Sequence, residues 1–176
     1  WEHSDYNATI DFLIPPAPAD GEPTPGKLKS LEGDFAAWIA DALPLAFLDF
    51  EMVRLDEEID SLGRTEREVK VCGAGAFVAL KAHAIDGRVK FKDAYDLVYI
   101  LTNHREDINA IGERLRRLRG QHESVAHAIE VLRRDFASVG HTGPVRYATF
   151  FGDAADDERR AEAFAAVQAL LRFVDS

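Results

Sequence analysis

Apolar and polar residues alternate near the start of the chain, and the pattern becomes helical after its middle. In NATIDFLIPP (7–16), Ile10, Phe12 and Ile14 share one parity and Thr9, Asp11 and Leu13 the other, before a proline pair. That alternation predicts a strand. Residues 15–27 hold five of the seven prolines and read as a loop. Phe35, Trp38, Ile39 and Ala42 fall at i, i+3, i+4 and i+7, which predicts a short helix over 34–43 ended by Pro44. LAFLDFEMVRL (45–55) and REVKVCG (67–73) read as two arms of an antiparallel hairpin, with a moderately long connection around DSLGRT (60–65). From Gly75 onward the spacing predicts helices at about 75–86, 92–104, 106–119, 121–138 and 157–174. A break is expected at GHTGP (140–144), and RYATFFG (146–152) adds room for one short helix. Strands first and helices after them make an α+β arrangement, divided at 73/74.

Composition adds bounds to this outline. With 176 residues, 47% apolar and 30% charged, the chain has the makeup of a folded protein with one full core or two small ones. Its formal net charge of −10 argues against a surface that broadly attracts nucleic acid. The locally basic RLRRLRG (114–120) is read as the wet face of a helix, because Ile108, Ile111, Leu115 and Leu118 repeat on the other side. An RNA-binding surface on Arg114–Arg119 is the weaker reading. Cys72 is the only cysteine, so a reducing cytoplasm is expected. No apolar run approaches a membrane span or a signal-peptide core. The chain opens at Trp1 rather than methionine, which suggests a fragment or a processed form.

Several familiar signals fail on inspection. VKVCGAGAFV has a Gly-x-Gly after a strand, with Asp93 some distance on, but Val78 stands where the dinucleotide fingerprint needs a third glycine. Gly73 and Gly75 are better read as a strand-to-helix turn. His122 and His127 in HESVAH are five apart, about 140° round a helix, so they do not share the face that a zinc helix needs. No serine sits in G-x-S-x-G.

The stretch LKAHAIDGRVKFKDAYDLVYIL (80–101) places charges against apolar stripes. Lys81 flanks the line Phe77–Leu80–Ala84, where its stem can lie on apolar surface while the ammonium reaches a polar opening. Asp93 and Asp96 are three apart on the next helix, beside Ala94–Leu97–Val98–Leu101. Physics alone leaves two readings. Asp93 is an N-cap and its pairing with Lys81 a clasp between helices, or the group is the edge of a site.

The same residues resemble the AbiEii-type (abortive infection, type IV toxin) family of nucleotidyltransferases over the C-terminal two-thirds of the chain. That family carries a K-x-x-A helix followed by a basic-D-x-Y-D helix, matched here by Lys81–Ala84 and by Lys92, Asp93, Tyr95 and Asp96. The resemblance implies a polymerase-β-like α+β fold, with part of its sheet in 1–73 and a helical C-terminal domain in 74–176. It implies Mg²⁺-dependent transfer of a nucleotidyl group from a nucleoside triphosphate to an RNA (tRNA) or protein acceptor. It also implies an antitoxin partner. Lys81 and Asp93 would be the catalytic pair, the aspartate acting as base or as the group that holds the lysine. Lys92 and Asp96 would serve nucleotide phosphates, and Asp11 would be the metal-binding carboxylate. The family's opening Gly-Ser or Gly-Gly turn and D-x-D strand are missing; the closest approach is the D-x-E of LDFE (48–51). Either an N-terminal portion lies outside this chain, or the chain descends from the enzymes and serves as a non-catalytic helical interaction module.

Overall fold

The computed structural model describes residues 2–3, 8–15, 28–32, 35–40, 42–59 and 63–176. These fall into two units, Trp1–Pro44 and Leu45–Ser176. In the first, β1 (Glu2–His3) pairs antiparallel with β2 (Ala8–Thr9). A second sheet has the order β3 (Leu13–Ile14), β5 (Phe35–Ile39), β4 (Leu28–Glu32), with β3 parallel and β4 antiparallel to β5.

Two expectations need correction here. The single strand over 7–16 is two short pieces, each joined to a different sheet. Ile10, Phe12 and Leu13 stay largely exposed, so no core face holds the alternation in one straight strand. The helix expected over 34–43 is instead strand β5. Its apolar residues satisfy period two as well as helical spacing: Ala37 and Ile39 are buried while Trp38 between them is exposed. Pairing with β4 on one side and β3 on the other decides between the two periods.

In the second unit a single helical turn, α1 (Leu45–Leu48), leads into β6 (Phe50–Ile59), which pairs antiparallel with β7 (Gly63–Cys72) from Phe50↔Cys72 to Ile59↔Gly63. The first arm starts at 50 rather than 45, because 45–48 form α1, and runs on to 59; the second starts at 63 rather than 67, so the connection is shorter than expected, and part of the expected turn, 60–62, lies outside the described residues. Six helices follow: α2 (Ala74–Gly87), α3 (Phe91–Asn103), α4 (Ile108–Arg119), α5 (Ser124–Asp135), α6 (Thr142–Phe150) and α7 (Asp157–Asp175). Hairpin and helices share this unit. The expected break at 140–144 holds a helix start instead, because Pro144 falls in the first turn of α6, where a missing N–H costs nothing.

Helix α2 is the hub, packed against α3, α4 and α5. Ala74, Gly75, Ala76, Val78, Ala79, Ala82 and Ile85 are all buried, and most are small enough to let neighbouring helices approach. Leu97, Ile111, Leu115, Leu118, Ile129, Leu132 and Leu170 complete a dry interior around it. Burying each such side chain stabilises the fold by roughly 1.5–3 kcal/mol before entropy is counted. The hub carries Lys81 on the side that faces α3. The architecture is α+β as expected, and among the described residues no helix is long and apolar enough to cross a membrane.

Candidate functional site

The junction of α2 and α3 gathers five charged side chains. Lys81 Nζ lies 2.7 Å from Asp96 Oδ2 and 3.1 Å from Asp93 Oδ1. Its stem passes the Phe77 ring, whose centroid is 5.5 Å from the ammonium. Arg88, the residue just after α2, grips the same Asp93 with two donors, Nε at 2.7 Å and Nη2 at 2.9 Å. Lys92 reaches both oxygens of Asp96, at 2.7 and 2.8 Å, one helical turn along α3. Arg146 from α6 donates to the Ile85 carbonyl at 2.7 Å, which ties down the end of α2 from which Arg88 extends.

Asp93 is only 2% exposed. Burial pushes its carboxyl up, but hydrogen bonds from Arg88 and Lys81 outweigh that and hold it below the ordinary carboxylate range. The N-cap of α3 is Lys90, with Asp93 in the first turn, its amide bonded to the Lys90 carbonyl at 3.1 Å. The carboxylate is thus stabilised by the helix end as well as by two cations. Of the residues singled out in the sequence, Lys81, Lys92, Asp93 and Asp96 meet in one network.

Asp11 belongs to the N-terminal unit, where it is exposed between β2 and β3. It is the only carboxylate among the described side chains of that unit. A magnesium ion asks for about six oxygen ligands, usually with one or two carboxylates from the protein. Among the described residues no three of His, Cys, Asp or Glu converge on a point where they could hold a metal. Asp93 and Asp96 are already matched by Lys81, Arg88 and Lys92. The described residues therefore do not fit a metal site of their own.

A second ionic cluster escaped sequence reasoning. Arg114 donates to Asp49 at 2.7 Å, to Glu51 at 2.9 Å and to Glu106 at 2.8 Å through both Nε and Nη2. Arg105 also bonds Glu51. Asp49 is buried and accepts the Ala76 N–H at 2.9 Å, in the first turn of α2. Arg114 is therefore no wet-face residue; Arg117, three residues on, is exposed as expected. The cluster also explains the Gly-x-Gly. A Cβ on Gly73 would sit 2.5 Å from the Asp49 carboxylate, and one on Gly75 would sit 2.6 Å from Arg114 Cβ. The glycines make room for protein side chains, not for a pyrophosphate. The only sequence signal was the D-x-E of Asp49 and Glu51, whose partner lies 65 residues away.

His127 of α5 pairs with Asp86 of α2 at 2.9 Å and His122 with Ser124, so the HESVAH histidines make separate contacts.

Among protein-family models, one described as "Nucleotidyl transferase AbiEii toxin, Type IV TA system" matches residues 39–176. No curated protein and no solved structure matches the chain.

Proposed function

Because the chain belongs to the AbiEii family of nucleotidyltransferase toxins of type IV toxin–antitoxin systems, we propose that it binds a nucleoside triphosphate at the α2–α3 junction. There it transfers the nucleotidyl group to a hydroxyl of an RNA, such as tRNA, or of a protein acceptor. The observation that carries this reading is the Lys81 ammonium, held between Asp93 and Asp96. An ammonium has three N–H donors, so one is left for a phosphate oxygen. Arg88 and Lys92 stand beside it, and the Lys92 side chain is two-thirds exposed at the rim.

In the transfer, the acceptor oxygen bonds to the α-phosphorus, the bond to pyrophosphate breaks, and the acceptor proton passes to solvent. Lys81, Arg88 and Lys92 offset the charge that the phosphates carry through this step. A carboxylate held below its ordinary range is a poor proton acceptor at neutral pH, which supports Asp93 as the group that holds Lys81 rather than as the base. Asp96 anchors Lys81 and Lys92 together. Nucleotidyltransferases generally use Mg²⁺. Here the ion would arrive with the triphosphate.

An antitoxin is the expected counterpart in such a system. A cytoplasmic setting is proposed on the lone Cys72, whose thiol is pushed up to about 11 by burial and then by the Asp49 carboxylate, keeping it protonated.

Transfer of label from an α-labelled nucleoside triphosphate tests the reading. Lys81→Ala lowers transfer by about a hundredfold, the scale of removing one charge-stabilising donor. Asp93→Asn follows it, since it releases the lysine. Transfer unchanged in both variants contradicts these roles. One observation favours a second reading, a non-catalytic helical interaction module: the described residues assemble no metal site. That reading expects neither transfer nor any change in melting temperature with Mg²⁺ and triphosphates.

A further inference from the structure

We propose that the Tyr95–Phe150 ring pile, with Tyr99 beside it, is a stacking surface for a nucleobase whose phosphates rest on Lys81, Arg88 and Lys92. The proposal builds on the phosphate role argued above and extends it to the other end of the ligand. Tyr95 is the centre of an aromatic cluster. The Phe150 ring stacks on it with centroids 4.3 Å apart and planes 19° from parallel. Tyr147 lies 11° from parallel to it at 6.4 Å, and Tyr99 is 5.7 Å from it, tilted by 36°.

The rings of the cluster differ in exposure. Tyr147 is buried and hydrogen-bonded to Glu162, whereas Phe150 is 39% exposed and Tyr99 52%. Single exposed rings are ordinary on a protein surface. A contiguous ledge of rings beside a cluster of cations is not, and it is the combination that single-stranded nucleic acids and nucleotides use. The neighbouring Phe151 ring already has a planar cover, the Arg159 guanidinium 3.5 Å from its centroid. Phe150, stacked on Tyr95 and at right angles to Phe151, carries no cation over its ring among the described contacts and keeps 39% of its surface open.

The two halves share a helix face. Lys92, Tyr95, Asp96 and Tyr99 stand at i, i+3, i+4 and i+7 along α3, so the rings continue the stripe that begins with the cations. From Lys92 to Tyr99 the helix rises about 10 Å, comparable with the length of a nucleotide. The nucleobase belongs either to the triphosphate or to the end of a single-stranded RNA acceptor, and the chemistry of the ledge is the same for both.

The full chain is titrated with ATP, with a short oligoadenylate and with inorganic tripolyphosphate, as wild type and as Phe150→Leu, Tyr99→Leu and Lys81→Met. Both aromatic sites are surface positions, and thermal melting verifies that each variant is folded. Phe150→Leu is expected to weaken ATP, the oligoadenylate or both by about tenfold, with Phe150→Trp restoring affinity and tripolyphosphate unaffected. Loss confined to ATP assigns the base to the triphosphate; loss confined to the oligoadenylate assigns it to the acceptor; either supports the ledge. Aromatic variants that bind both base-bearing ligands like wild type overturn it, as does equal loss for tripolyphosphate or a wild type that binds neither. Lys81→Met separates the two readings. If it alone weakens binding, the phosphate site stands without the ledge; if it changes nothing while Phe150→Leu does, the ledge stands and the phosphate site fails.

Discussion

The two ionic clusters of the C-terminal unit are built from the same groups to opposite ends. At the base of the hairpin, three carboxylates from two different parts of the chain converge on Arg114, and all three nitrogens of its guanidinium are engaged, through four hydrogen bonds. At the α2–α3 junction, three cations surround two carboxylates, and the outer cations reach water: the Arg88 and Lys92 side chains are half and two-thirds exposed. The first arrangement is inward-facing and surrounds its cation with carboxylates, so it holds the hairpin to α2 and α4. The second keeps the Lys92 ammonium at its rim and one N–H of Lys81 beyond its two carboxylates, so it has something left to offer a ligand. Burial and charge pairing alone do not distinguish a staple from a site; the sign and accessibility of the surplus do.

That contrast can be broken by mutation, beginning with the staple. Arg114→Ala strands Asp49 as a buried carboxylate without its cation, and urea unfolding should show a loss of roughly 3–5 kcal/mol. Gly73→Ala drives a methyl into the Asp49 carboxylate and should cost about 1–3 kcal/mol. Asp49→Ala in the same chain should recover part of that cost in a double-mutant cycle, and strict additivity would show that the carboxylate is not what Gly73 accommodates.

The site should respond more gently. Asp93 has its folded carboxyl held below the unfolded value, so its ionised form stabilises the protein above the unfolded pKa, and that contribution fades as pH falls through the folded one. The stability gap between wild type and Asp93→Asn should therefore be constant from about pH 5 to 8 and shrink below about pH 4. A gap that grows on acidification would mean that the carboxyl is not ionised in the folded protein. Lys92→Ala should change stability least, by roughly 0.3–0.5 kcal/mol, because an exposed i, i+4 pair is worth no more.

How much of this could be read beforehand follows from the range of the interactions. The helices from 91 onward were legible because Leu97, Val98, Leu101, Ile111, Leu115 and Leu118 repeat at a period that only a helix satisfies over that length. Phe35–Ile39 was not, since five residues are too few to separate period two from period 3.6, and pairing with distant strands decided the matter. The Lys81–Asp93 contact was legible because 12 residues and one short connection leave few ways to pack two helices. Arg88 went unnoticed because it sits in the connection itself, where no periodicity marks it. The Asp49–Arg114 contact depends on how the hairpin meets α4, which no local pattern encodes. Asp11 keeps only its sequence argument.

The central claim is that Lys81 and its neighbours receive phosphate, and the most direct measurement is calorimetric titration of a nucleoside triphosphate into the wild-type chain and into Lys81→Met. The account predicts saturable binding to the wild type, weakened tenfold or more by removing the ammonium (about 1.4 kcal/mol or more), with the fold intact because Arg88 still holds Asp93. Equal affinity in the two proteins, or no heat from either, would contradict it.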